Sequence, residues 1–212
     1  MIRSCIKNLL PSIIVTALLM AFASGPASAA SEPRTALENT VTQVLNELKK
    51  PELKNQATRE GVLQNVERII VSLFSFEELS MRTVGPNWRN FSADQKKRFI
   101  EAFEDLLRER YLGALLGYSG ETVTYLKETP VGNAGDKVQI DTQVNMKDKP
   151  VPMSYRMLKK NRWVVYDIII EGVSLVQNYR SQFQSVLQRG DADELIRLVR
   201  QKADETKAQN NT

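Results

Sequence analysis

The stretch that decides the fold is 163–183, WVVYDIIIEGVSLVQNYRSQF, which runs the most apolar strand candidate in the chain directly into a helix. Strand side chains alternate, so Trp163, Val165, Asp167 and Ile169 fall on one face and Val164, Tyr166, Ile168 and Ile170 on the other. Both faces are apolar, which predicts a strand at the centre of a sheet covered on both sides. The chain then turns at Gly172. Ser174 followed by Gln177 has the spacing of a capping box, and the helix it opens carries Leu175, Val176, Tyr179, Phe183, Val186 and Leu187 on one stripe.

Outward from this unit, strand candidates at 121–128, 137–146 and 151–159 precede the one at 162–170, with turns at 132–135, 147–149 and 160–161. The second alternates most cleanly: Val138, Ile140, Thr142, Val144 and Met146 against Lys137, Gln139, Asp141, Gln143 and Asn145. It is therefore expected to be half buried, and the short turns predict an antiparallel meander. Upstream, Leu37, Val41, Val44, Leu45 and Leu48 repeat at helical spacing from Thr35 to just before Pro51, and Val62, Leu63, Val66, Ile69, Ile70 and Leu73 do so over about 59–74. Phe74, Phe76 and Leu79 extend the apolar character until Gly85-Pro86 breaks it. Ser92 and Gln95 open a long helix whose stripe is Phe99, Ile100, Phe103, Leu106, Leu107, Tyr111 and Leu115. After Gly190, Asp191 and Glu194 begin a last helix, with a frayed polar tail expected at 206–212. Helices first, a sheet next and helices last predict an α+β fold: an antiparallel sheet of four strands or slightly more, packed against several helices.

Residues 1–29 read as a secretory signal peptide. Arg3 and Lys7 give a positive start, an apolar run follows from Leu9 to Phe22, and Ala27-Ser28-Ala29 is a cleavage site, leaving one domain at 30–205. An uncleaved anchor is the competing reading. The only cysteine, Cys5, leaves with the peptide, and there is no histidine. The mature chain then has no disulfide, thiol nucleophile or thiolate ligand, and Ser-His-Asp chemistry and nearly every zinc or copper site are excluded. No metal and no cofactor are expected. Removing Arg3 and Lys7 takes the formal charge from +4 to +2, too weak to argue for nucleic acid.

One residue has a catalytic look. Asp167, placed among Val165, Ile169 and Trp163, fits a base with a raised pKa in a small isomerase or lyase, and equally a structural carboxylate hydrogen-bonded across the sheet. Lys159, Lys160 and Arg162 at a hairpin tip fit either a phosphate or acidic partner or a solvated turn. The apolar stripes read as core by default, but their total is large. A gap between sheet and helices would be an apolar cavity with no polar anchor, suited to hydrocarbon. A purely structural adaptor with a filled core is the third reading.

The stretches 83–121, TVGPNWRNFSADQKKRFIEAFEDLLRERYLGALLGYSGE, and 163–183 resemble the MlaC family, also called the toluene-tolerance family, over about 37–200, and the second is the more specific. The resemblance implies a non-enzymatic periplasmic carrier of glycerophospholipid in the Mla lipid-asymmetry pathway. Its implied partners are an outer-membrane lipoprotein of the MlaA type with its porin, and an inner-membrane ABC transporter bearing a ring of MlaD-type subunits. It transfers no catalytic residue. The positions it suggests for lining a lipid cavity are Phe99, Phe103, Leu107 and Tyr111 on the long helix, then Val123, Tyr125, Ile140, Val144, Met153, Tyr155, Trp163 and Val165 on the strands. After the glycine turn they are Val173, Leu175 and Tyr179.

Overall fold

Most helices here start where a short polar side chain offers an oxygen to an unpaired N–H. In the computed structural model, which describes residues 31–210 apart from the side chains of 112–114, Ser31 caps α1 (Glu32–Leu48), accepting from the Arg34 N–H at 3.4 Å. The expected signal peptide lies outside the described residues. A 3-10 turn leads to α2 (Arg59–Leu73), and α3 (Phe76–Val84) follows directly, capped by Ser75, which accepts from the Glu78 N–H at 3.3 Å. Helix α4 (Ala93–Leu112) opens with the expected capping box in both halves: Gln95 N–H donates to Ser92 Oγ at 3.1 Å and Ser92 N–H to Gln95 Oε1 at 3.0 Å. The sheet is β1 (Thr122–Pro130), β2 (Lys137–Asn145), β3 (Pro150–Lys159), β4 (Trp163–Ile170) and a two-residue β5 (Val173–Ser174), then come α5 (Leu175–Leu187) and α6 (Ala192–Asn210). All five strands are antiparallel neighbours in sequence order, the meander that the short turns predict.

Three sequence expectations need correction. Helix α6 does not fray at Thr206: that residue is buried, and the Asn210 side chain donates to the Glu109 carbonyl of α4 at 2.7 Å. Strand β4 is not central but next to last. Its outer edge is covered instead by the α2–α3 junction, where Ser75 N–H donates to the Val165 carbonyl at 3.0 Å and Phe74 pairs with Val165. The alternation within β4 is also broken. Arg156 pairs with Asp167 and Met157 with Val165, so Tyr166 is an extra residue, a bulge that reverses the phase of everything after it. Trp163, Val165, Ile168 and Ile170 consequently share one face, while Val164, Tyr166 and Asp167 share the other.

Packing divides into separate apolar clusters. Helices α3 to α6 enclose an aromatic one in which Phe103 meets Tyr179 edge-on at 5.0 Å and Phe99 meets Phe183 at 5.5 Å. A second lies on one face of the sheet, where Ile140, Met157 and Val165 pack with Leu37 of α1 and Leu73 of α2. The third belongs to the α1–α2 hairpin itself: Leu48, Leu53, Val62, Leu63 and Val66. The opposite sheet face is polar over β2 and β3, where Ser154 and Gln139 both donate to Asp141 Oδ1, at 2.7 and 2.8 Å. The basic hairpin tip is tied down rather than free: Lys159 pairs with Glu32 of α1, and Lys160 lies 2.9 Å from the Glu78 carboxylate of α3. The third residue, Arg162, is exposed, so the tip reads as a solvated turn with two of its charges paired within the fold.

Candidate functional site

Helix α1 has an apolar stripe that only its ends bury. Leu37 and Leu48 are closed off, yet Val41, Val44 and Leu45 between them are only half covered. Ile70 and Val71 on α2 are in the same condition. Beneath them the sheet presents Val144, Met153, Tyr155, Ile168 and Ile170, and the two layers do not meet. The space between is a cavity of about 450 Å³, bounded at one end by Leu107 and Tyr111 of α4 and by Leu115, and elsewhere by Phe74, Phe76 and Leu175. Native cores leave few voids larger than a water molecule, so a gap of this size marks a place for a ligand.

The wall offers little to hold a polar molecule. Thr40 spends its hydroxyl on the Ala36 carbonyl at 2.9 Å, and burial pushes the Tyr155 phenol up to about 12, so it stays neutral. Besides Glu121, just before β1, charge enters along one seam, where α2 faces α4. There Glu67 and Arg108 line the cavity 3.3 Å apart, too poorly aligned to hydrogen-bond, and burial raises the pKa of Glu104 beside them. Among the described residues no group of three or more histidine, cysteine, aspartate or glutamate side chains is placed to hold a metal ion. This arrangement can desolvate a hydrocarbon chain.

Of the positions named in the sequence, Leu107, Tyr111, Val123, Val144, Met153, Tyr155 and Leu175 line this cavity. Eight do not. Phe99, Phe103 and Tyr179 are consumed by the aromatic cluster, because α4 turns that stripe toward α5 and α6. Ile140 and Val165 are fully buried in the sheet cluster, with Tyr125 and Trp163 packed at its margin, where α1 and α2 come closest to the strands. Val173 points to solvent, 60% exposed, because β5 is an edge strand. The α1 and α2 wall was missed, although its stripes were visible, because an apolar stripe announces burial without saying what covers it.

Asp167 lies on the other side of the sheet. Its carboxylate accepts from Ser174 Oγ at 2.7 Å and from the Val176 N–H at 3.0 Å, while Arg156 sits at 3.3 Å. It completes the start of α5, where the Gln177 N–H donates to Ser174 Oγ at 3.1 Å as the capping spacing predicts and Asp167 takes the Ser174 hydroxyl and the next free N–H. It does not face the cavity, and both of its oxygens are hydrogen-bonded.

The model of the MlaC protein family matches residues 38–201. The chain is 23% identical over 198 residues to the intermembrane phospholipid transport system binding protein MlaC of Haemophilus influenzae, covering 90% of this chain and 91% of that one. It is 24% identical to the toluene tolerance protein ttg2D of Pseudomonas putida, covering 86% of each. A phospholipid-binding protein from Ralstonia solanacearum, solved in complex with a phospholipid, superposes with a TM-score of 0.74 at 28% identity, over 86% of this chain and all of that one. With the matched segment running from α1 into α6, the chain belongs to the MlaC family.

Proposed function

We propose that the protein is a non-enzymatic carrier that takes the acyl chains of a glycerophospholipid into the cavity between the α1–α2 hairpin and the sheet, with the head group left toward water. The observation that carries this reading is the apolar cavity of about 450 Å³ in a fold shared with a phospholipid-bound relative. The lining supports it further, since Tyr155 stays neutral and charge is confined to Glu121 and the α2–α4 seam. At ~0.8 kcal/mol per methylene, burying an acyl chain of about 15 methylenes there grosses on the order of 12 kcal/mol. A membrane offers nearly the same stabilisation. Transfer is then close to neutral, and direction comes from outside this chain.

On this reading the site of action is the periplasm, reached by means of the expected signal peptide, and the cargo passes between an outer-membrane lipoprotein of the MlaA type and an inner-membrane Mla transporter. Native mass spectrometry of protein purified without added lipid tests the binding step. A mass increment of a diacyl glycerophospholipid is expected. Empty protein, unchanged after incubation with phosphatidylethanolamine and phosphatidylglycerol vesicles, would overturn it.

A further inference from the structure

The α1–α2 hairpin is the least anchored wall of the cavity. It has its own apolar cluster, separate from the aromatic one of α3 to α6, and while its two helices pack closely on each other, α2 meets α4 at few points. At the α1 N-terminus the hairpin is held firmly. Glu32 pairs with Lys159 and accepts from Trp163 Nε1 at 3.1 Å, Ser31 donates to Glu128, and Leu37 and Leu73 enter the sheet cluster. Farther along, its apolar neighbours are Leu115 and Tyr118, both only partly buried.

Between these ends, among the described residues, the one ion pair joining α2 to α4 is Glu67 with Arg108. The pair is 29% and 33% exposed and forms part of the cavity wall. Two apolar side chains would seal this seam at least as well, since partly desolvated ion pairs gain little net stability. What an ion pair allows is separation into water. Arg108 also pairs with Asp105 one turn earlier in its own helix, so the guanidinium keeps a partner when Glu67 withdraws. Cargo supplies the reason for separation: a diacyl lipid has to pass a wall of the cavity to enter and leave, and this is the wall least tied to the rest.

We infer that the Glu67–Arg108 pair is a latch that holds the α1–α2 hairpin over the cavity and parts as the acyl chains enter and leave. This rests on the carrier reading. The hairpin swings about its sheet-bound end, and α2 leaves α4 along the charged seam.

The test is the rate at which each lipid-loaded protein delivers a fluorescent phosphatidylethanolamine to vesicles of phosphatidylethanolamine and phosphatidylglycerol. Glu67→Gln is expected to exchange about two- to fivefold faster than the parent, the range set by a partly exposed ion pair. Glu194→Gln, which breaks an exposed pair on α6 and leaves the α2–α4 pair intact, should exchange at the parental rate, and the swap Glu67→Arg with Arg108→Glu should return toward it. Equal rates for Glu67→Gln and the parent, or equal acceleration by Glu194→Gln, would overturn the latch. A parent that carries no phospholipid at all would instead overturn the carrier reading.

Discussion

At the scale of single residues, buried charge separates structural roles from ligand-binding ones. Asp167 satisfies two donors at the start of α5 and pairs with Arg156, so Asp167→Ala leaves several buried partners unmatched. A loss of about 2–4 kcal/mol is expected, read as a drop in melting temperature, with the lipid content of the folded fraction unchanged. A catalytic Asp167 would show the reverse, a lost turnover at nearly full stability. Glu104 behaves oppositely. Burial raises its pKa above the ordinary 4.5, so the folded state favours the protonated acid, and ionisation costs stability as pH rises through the folded value. Glu104→Gln removes that cost. Thermal melts should show the variant more stable than the parent at pH 7.5, with the difference closing as pH falls toward the ordinary carboxyl range.

At the scale of elements, cavity wall and packed core respond differently to substitution. Val71 lines the cavity, is half buried and belongs to none of the apolar clusters, so Val71→Glu leaves the fold intact while placing a carboxylate against bound hydrocarbon. Co-purified lipid should fall about tenfold or more with little change in melting temperature. Ile140 is fully buried and away from the cavity, so Ile140→Ala should cost about 2–5 kcal/mol without altering lipid stoichiometry in what remains folded. The strands and the long helix were legible because β2 alternates polar with apolar and Ser92 with Gln95 marks a helix start. The phase of β4 was not: with apolar residues on both faces, nothing in the sequence signals that Tyr166 bulges and turns Ile168 and Ile170 toward the cavity. Helix α3 was hidden too, since its nine residues directly follow α2 and mix Glu77, Glu78 and Arg82 among Phe76 and Leu79. The same limit split the proposed site. On α4, Phe99 and Phe103 share an apolar stripe with Leu107 and Tyr111, yet only the latter pair reaches the cavity, a division set by where α5 and α6 dock.

At the scale of the whole molecule, the aromatic cluster of α3 to α6 supports one side, the sheet forms a floor, and the α1–α2 hairpin is a wall held at one end. A carrier needs this combination of a fixed frame and a wall that yields, because cargo must leave as readily as it enters. The most direct check on where that cargo sits is photocrosslinking with a phosphatidylethanolamine carrying a diazirine on one acyl chain, followed by mapping of the labelled residues. Label is expected on the inner faces of α1 and α2, at Val41, Val44, Ile70 and Val71, and on Met153 and Ile168 of the sheet floor. Label concentrated on Phe99, Phe103 and Phe183, on the polar face of the sheet, or nowhere on the protein would contradict the account.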